Sequence, residues 1–182
     1  MKTTGIVRRI DGLGRVVLPK EIRKTLKLLT GNLLQISIDG EKIVFEKYSP
    51  ISSFDKTTSA VSENLYKVVG LPVIVTDKER VIKAFGKAKH LKDEKLTDAF
   101  IKIIEDKSSF IINVNDGGVV KKITANGDET AFLNQIIVPV ITNEQEGAGS
   151  VIVLDDKPNA TLGLKELNLC TLASKMLIAD ID

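Results

Sequence analysis

The sequence predicts an α+β protein of two domains, and three observations predict it. Strand-like and helix-like segments alternate irregularly over 182 residues, with hairpin signals between strands and no internal repeat. Hydrophobic residues make up 43% and charged residues 27%, the ordinary range for folded chains. The charge is split by position. Residues 1–30 hold eight Lys or Arg and two acids, net +6, whereas residues 51–182 hold 16 basic and 19 acidic residues, net −3.

The arginines sharpen that split. Four of the five, Arg8, Arg9, Arg15 and Arg23, fall in the first 23 residues, and Arg80 is the exception. Elsewhere Lys serves as the cation. Arg carries a planar fork of donors that grips phosphate or guanine bidentately, so the switch is chemical as well as electrostatic. Two readings follow: a solvated basic face, or a polyanion-binding head on a mildly acidic body.

Along the head, residues 4–10 read as a strand, Asp11-Gly12-Leu13-Gly14 as a turn, and 15–18 as a second strand. Pro19 suits the first turn of a helix over 19–29, with Ile22, Leu26 and Leu29 on one stripe and Lys20, Arg23, Lys24 and Lys27 on another. Thr30-Gly31-Asn32 stops it. Strands over 33–38 and 42–48 are joined at Asp39-Gly40, a hairpin signal. About 50 residues of ββαββ make a marginal core with open edges, which a symmetric dimer would complete.

Residues 53–66 read as a linker running into a helix whose apolar face holds Phe54, Val61, Leu65 and Val68. Residues 67–182 read as a second domain. It has strands at 72–77, 81–85, 110–114, 119–124, 135–142 and 150–154, and helices at 94–106 and 161–179.

Other motifs favour plain structure. Asp11-Gly12-Leu13-Gly14 lacks the Lys-Ser/Thr of a P-loop. Gly147-Ala148-Gly149-Ser150 reads as a hairpin loop, and Asp155-Asp156 as a turn before Pro158. The single Cys170 excludes an internal disulfide and reads as a small core residue; the single His90 reads as a surface residue. No nucleophile–base pair stands out, no metal or cofactor is called for, and an enzyme is not expected. No apolar run reaches the ~20 residues of a membrane helix and no signal peptide opens the chain, so a cytoplasmic protein with no membrane partner is expected.

The run from Gly5-Ile6-Val7-Arg8-Arg9-Ile10-Asp11 through Leu13-Gly14-Arg15-Val16-Val17-Leu18-Pro19-Lys20-Glu21-Ile22-Arg23-Lys24-Thr25-Leu26 closely resembles the AbrB-type DNA-binding domain, and the match extends to Tyr48-Ser49-Pro50. The resemblance implies a swapped-hairpin β-barrel dimer over residues 1–52 that binds double-stranded DNA. By position it implies DNA contacts from Arg8, Arg15, Arg23 and the next residue. That residue is Lys24, which keeps the charge but loses the bidentate fork. Arg9 and Lys20 join them on charge. The order of elements over 67–182 resembles a small sensory GAF domain. It leaves open a sensor for an unidentified small-molecule effector, or an oligomerising module that pairs dimers into a homotetramer with the linker helices. An AbrB-type head on a GAF-like body resembles regulators of late gene expression in the forespore, which activate or repress transcription. The alternatives are an antitoxin-like protein that binds a protein partner, and a ligand-binding module whose basic head is incidental. The patterned C-terminal part counts against the first of these, since such antitoxins end in a disordered tail.

Overall fold

A computed structural model describes residues 5–28, 30 and 32–179, and the chain divides into two units, Met1–Tyr48 and Ser49–Asp182. In the first unit, residues 5–18 form no strand. The segment doubles back at the expected turn, where Asp11 N–H donates to the Arg15 carbonyl (3.0 Å) and Gly14 N–H to the Asp11 carbonyl (3.0 Å). Gly14 has φ +75°, a conformation that favours glycine. Of the two strands expected over 4–10 and 15–18, the described residues 5–10 and 15–18 are therefore corrected to unpaired segments of the single chain, and residue 4 lies outside the described residues. Their apolar residues Val7, Ile10 and Val17 stand exposed, with no sheet beside them.

Helix α1 (Lys20–Thr25) starts after Pro19, whose carbonyl accepts the first helical bond from Arg23 N–H (3.0 Å). It ends earlier than its apolar stripe predicts. Lys27 takes φ +50° and donates to the Lys24 carbonyl, while Leu28 N–H reaches back to the Arg23 carbonyl (2.7 Å). This is a Schellman stop built without glycine. The predicted stripe residue Leu29 and the predicted stop at Gly31 lie outside the described residues.

Strands β1 (Leu34–Asp39) and β2 (Lys42–Lys47) pair antiparallel, with Ile36 opposite Phe45 and Ile38 opposite Ile43. The loop is Gly40-Glu41, with Gly40 at φ +60° as the first loop residue, as a two-residue hairpin of type II′ needs.

The second unit opens on α2 (Pro50–Ser53) and α3 (Asp55–Val69), closed by Gly70 at φ +70°. Its sheet is antiparallel throughout. The strands β3 (Val73–Thr76), β4 (Val81–Phe85), β5 (Phe110–Asn113), β6 (Asn134–Ile141) and β7 (Gly147–Asp155) lie in the order β4-β3-β7-β6-β5. Both faces are covered, so β3, β6 and β7 read as continuous apolar runs rather than alternating ones. On one face α3 and α5 (Leu164–Ile178) bury Val61, Leu65, Cys170 and Leu177 against Val73, Val75, Val138 and Val151. On the other, α4 (Asp98–Glu105) and a 3₁₀ turn at Gly86–Leu91 bury Phe100, Ile104 and Leu91 against Ile74, Ile137 and Ile152.

The helices differ from their predicted faces for local reasons. In α3, Val68 is exposed and Thr58 and Ser62 are buried instead. Their hydroxyls donate within the chain, Thr58 to the Ile51 carbonyl (2.8 Å) and Ser62 to the Thr58 carbonyl, so burial leaves neither unpaired. Helix α4 begins late because Thr97 caps it, accepting from Phe100 N–H (3.0 Å). Helix α5 begins at Leu164, where Glu166 accepts from Gly163 N–H (3.0 Å), half of a capping box.

The strand predicted over 119–124 is replaced by a loop tied to buried side chains. Lys121 N–H donates to Gln135 Oε1 (2.9 Å), and Gln135 Nε2 donates to the Lys121 carbonyl (2.9 Å). Ile123 N–H and Thr124 N–H donate to the Glu129 carboxylate (2.8 and 2.6 Å). These bonds satisfy backbone groups of Lys121, Ile123 and Thr124 that a ladder would have paired. The hairpin loop expected at Gly147–Ser150 lies instead inside β7, and the turn is made by the residues before it.

Candidate nucleic-acid interface

All six cations singled out in the head are exposed. Arg8 and Arg9 lie on the unpaired segment, and Arg8 Nη1 donates to the Val7 carbonyl (3.2 Å). Arg15 sits at the end of the Asp11 turn. Lys20, Arg23 and Lys24 come together on α1, where with Lys27 and Leu28 they line one shallow open groove. Four cations around a single hollow repel one another and attract a polyanion. Lys27, on the same predicted cationic stripe but not among the six expected contacts, lines the groove with Lys20, Arg23 and Lys24. Arg23 and Lys24 also occupy the last turn of α1, where positive charge favours the helix dipole.

The turn holds Arg15 firmly. Asp11 Oδ1 accepts from Leu13 N–H (2.9 Å) and Arg15 N–H (2.8 Å), and Oδ2 accepts from Arg15 Nε (2.7 Å). The bond from Arg15 N–H is the main reason that the Asp11 carboxyl lies below the usual carboxylate range, with the Arg15 side chain adding to it. The contribution of this carboxylate to turn order is therefore present above the ordinary Asp range and is lost as pH falls through the lowered value.

In the second unit, Cys170 and His90 serve structure. Burial pushes the Cys170 thiol up to about 12, with the Glu166 charge adding to it. We expect a thiol reagent such as Ellman's to leave Cys170 unreacted in the native protein and to modify it at the rate of a free thiol in denaturant. Rapid native modification would contradict the burial. The His90 ring nitrogens face the Lys87 and Asp128 carbonyls (2.9 and 2.8 Å), joining the 3₁₀ turn to the loop before β6. Among the described residues no group of three or more His, Cys, Asp or Glu is arranged to hold a metal ion, and no helix is long and apolar enough to cross a membrane.

The comparisons with known proteins divide as the charge does. The family model described as "Stage V sporulation protein T C-terminal, transcription factor" matches residues 54–181, and "Antidote-toxin recognition MazE, bacterial antitoxin" matches residues 7–53. Stage V sporulation protein T of Bacillus subtilis (strain 168) is 33% identical over 154 residues, 84% of this chain and 84% of the relative. Transition state regulatory protein AbrB of the same organism is 42% identical over 76 residues, 42% of this chain and 78% of the relative. The second GAF domain of DevS from Mycobacterium smegmatis shares the fold at a TM-score of 0.53 and 11% identity, over 69% of this chain and 91% of that one.

A basic AbrB-type head joined to a GAF-fold body defines a DNA-binding transcription regulator. The chain belongs to the stage V sporulation protein T family, and its function lies in the regulation of sporulation.

Proposed function

We propose that two heads form one DNA-reading unit, in which Arg8, Arg15 and Arg23 reach phosphates and base edges of duplex DNA and Arg9, Lys20 and Lys24 reach phosphates. The observation that carries the dimer is the head's uncovered apolar face. Ile36, Ile38, Ile43 and Phe45 share one side of the β1–β2 hairpin and are 64%, 80%, 63% and 39% exposed. A 48-residue unit cannot leave that much apolar surface in water and stay folded alone. The unpaired segments on either side of the Asp11 turn supply the edges that a second chain's strands complete. A swapped-hairpin dimer answers both needs and places two arginine sets about a two-fold axis, matching two half-sites on DNA.

The body would join such dimers into a tetramer through α3 and α5, gaining avidity on paired half-sites. The protein acts by binding rather than turnover, in the forespore cytoplasm, as an activator or repressor. The match of residues 7–53 to an antitoxin model gives the second reading, capture of a protein partner. The body disfavours it: residues after the head bury two apolar clusters rather than trailing as a segment free to wrap a partner.

Fluorescence anisotropy across a salt series tests the reading. For R15A/R23A we expect affinity for a promoter-length duplex to fall by about 10- to 100-fold and the salt slope to drop by about 2 for each bound chain. Equal weak binding by wild type and variant would overturn it. Sedimentation showing a stable monomer at micromolar concentration would overturn the dimer.

A further inference from the structure

Asp11 is one of only two acids among the first 30 residues. A carboxylate on a polyanion-binding surface weakens that surface, so its placement needs a reason. Its geometry supplies one. Oδ1 is fixed by two backbone N–H groups, which stops the carboxylate from rotating, and Oδ2 then takes Arg15 Nε at 2.7 Å. With Nε occupied, the guanidinium keeps its end-on pair, Nη1 and Nη2, for another acceptor. The Arg15 side chain is 70% exposed, so that pair is open to solvent. Two parallel donors on a fixed plane match the O6 and N7 acceptors of guanine in the major groove. Among the described residues none of the other five head cations has a carboxylate partner within ion-pair distance.

We propose that Asp11 is a specificity-determining positioning residue: it clamps Arg15 so that the end-on Nη pair meets the major-groove edge of guanine rather than any phosphate in reach. The inference rests on the reading that Arg15 touches DNA. Clamping removes rotamer freedom from a long side chain before binding, which favours the one geometry it presents. The charge effect and the positioning effect have opposite signs. Removing an acid strengthens attraction to every duplex, whereas releasing Arg15 weakens binding only where guanine is read.

The test uses the intact chain. A duplex selected by wild type from a pool with a randomised centre serves as the specific probe, and a scrambled duplex of the same composition as the non-specific one. D11N keeps an acceptor for the turn and loses the charge that holds Nε. D11S, whose hydroxyl also closes such a turn, replaces it if D11N melts early. We expect the ratio of specific to non-specific affinity to fall about tenfold, with scrambled-duplex affinity unchanged or higher. On an R15A background the same change should leave the ratio where R15A alone puts it. An unchanged ratio in D11N, or an equal fall without Arg15, overturns the positioning role. If R15A itself leaves the ratio intact, the reading of Arg15 fails first and the positioning role falls with it. A wild type that selects no preferred duplex overturns both.

Discussion

Gly149→Ala is expected to unfold most of the body at temperatures where the wild type is stable. A Cβ at Gly149 would lie 1.9 Å from the Thr76 carbonyl oxygen and 2.5 Å from Ile51 Cδ1. The first is backbone of the neighbouring strand β3, and it cannot swing aside as a flexible side chain can. Gly149 lies beside Ser150, which pairs with Thr76 across the β3–β7 ladder, and the two hydroxyls are 2.8 Å apart in the interior. Separating the strands enough to admit a methyl group breaks that contact and lifts Ile51, 1% exposed, from the sheet. Overpacking against backbone together with a broken buried polar pair places the cost at about 4 kcal/mol or more. Denaturant unfolding followed by circular dichroism measures it. Gly163→Ala is the control: its Cβ would meet only Glu166 Oε2, at 3.9 Å, and at the N-cap of α5 we expect it to cost about 1 kcal/mol or less. Equal stability of the two variants would show that β3 and β7 stand further apart than described.

Gly149 also shows where sequence reasoning stops. Gly147-Ala148-Gly149-Ser150 has the composition of a loop, and composition alone assigns it to one. What keeps it in a strand is a neighbour far away in sequence: Thr76 approaches so closely that only glycine fits. Elements with local causes were legible. The Gly40 hairpin, the Asp11 turn and most of the body's strands follow from turn chemistry and apolar runs. The strand predicted at 119–124 follows the same local rule and differs because Gln135 and Glu129, polar residues placed by other segments, satisfy its backbone instead. In the head the same limit applies. Val7, Ile10 and Val17 have the pattern of strands, but a strand exists only beside another, and among the described residues none lies beside them.

The candidate site was legible to a greater degree because charge needs no partner to be seen. The crowding of Arg into the first 23 residues marks a basic, exposed stretch, and helix periodicity groups Lys20, Arg23 and Lys24, which line one groove in the structure. For Asp11 the sequence shows only a turn former. Its second function, holding Arg15 Nε, depends on the turn bringing a residue four positions away back onto the same carboxylate, which spacing alone does not show.

Glu129→Ala is expected to cost the body about 3–5 kcal/mol, a large effect for a residue on a loop. The carboxylate is nearly buried and accepts three bonds, from Ile123 N–H, Thr124 N–H and the Thr124 hydroxyl. Ile123 and Thr124 are themselves fully buried, so water cannot take over these donors without opening the core. Each buried donor left unpaired costs about 1–3 kcal/mol, and the loss is partly shared because the three act through one group. The consequence extends past the loop. Thr97 N–H donates to the Ile123 carbonyl and Ala125 N–H to the Lys95 carbonyl, so the segment Glu129 fixes is also the one that seats the start of α4. Losing the clasp should therefore loosen Phe100 and Ile104, which fill the sheet's second face. Amide hydrogen exchange separates this from general destabilisation. In Glu129→Ala, amides of α4 should exchange faster than those of α5 on the opposite face. Glu129→Gln keeps an acceptor at one oxygen, and we expect it to recover about half of the loss. Uniform acceleration over both faces would mean that the clasp contributes only to global stability and does not hold this layer in place.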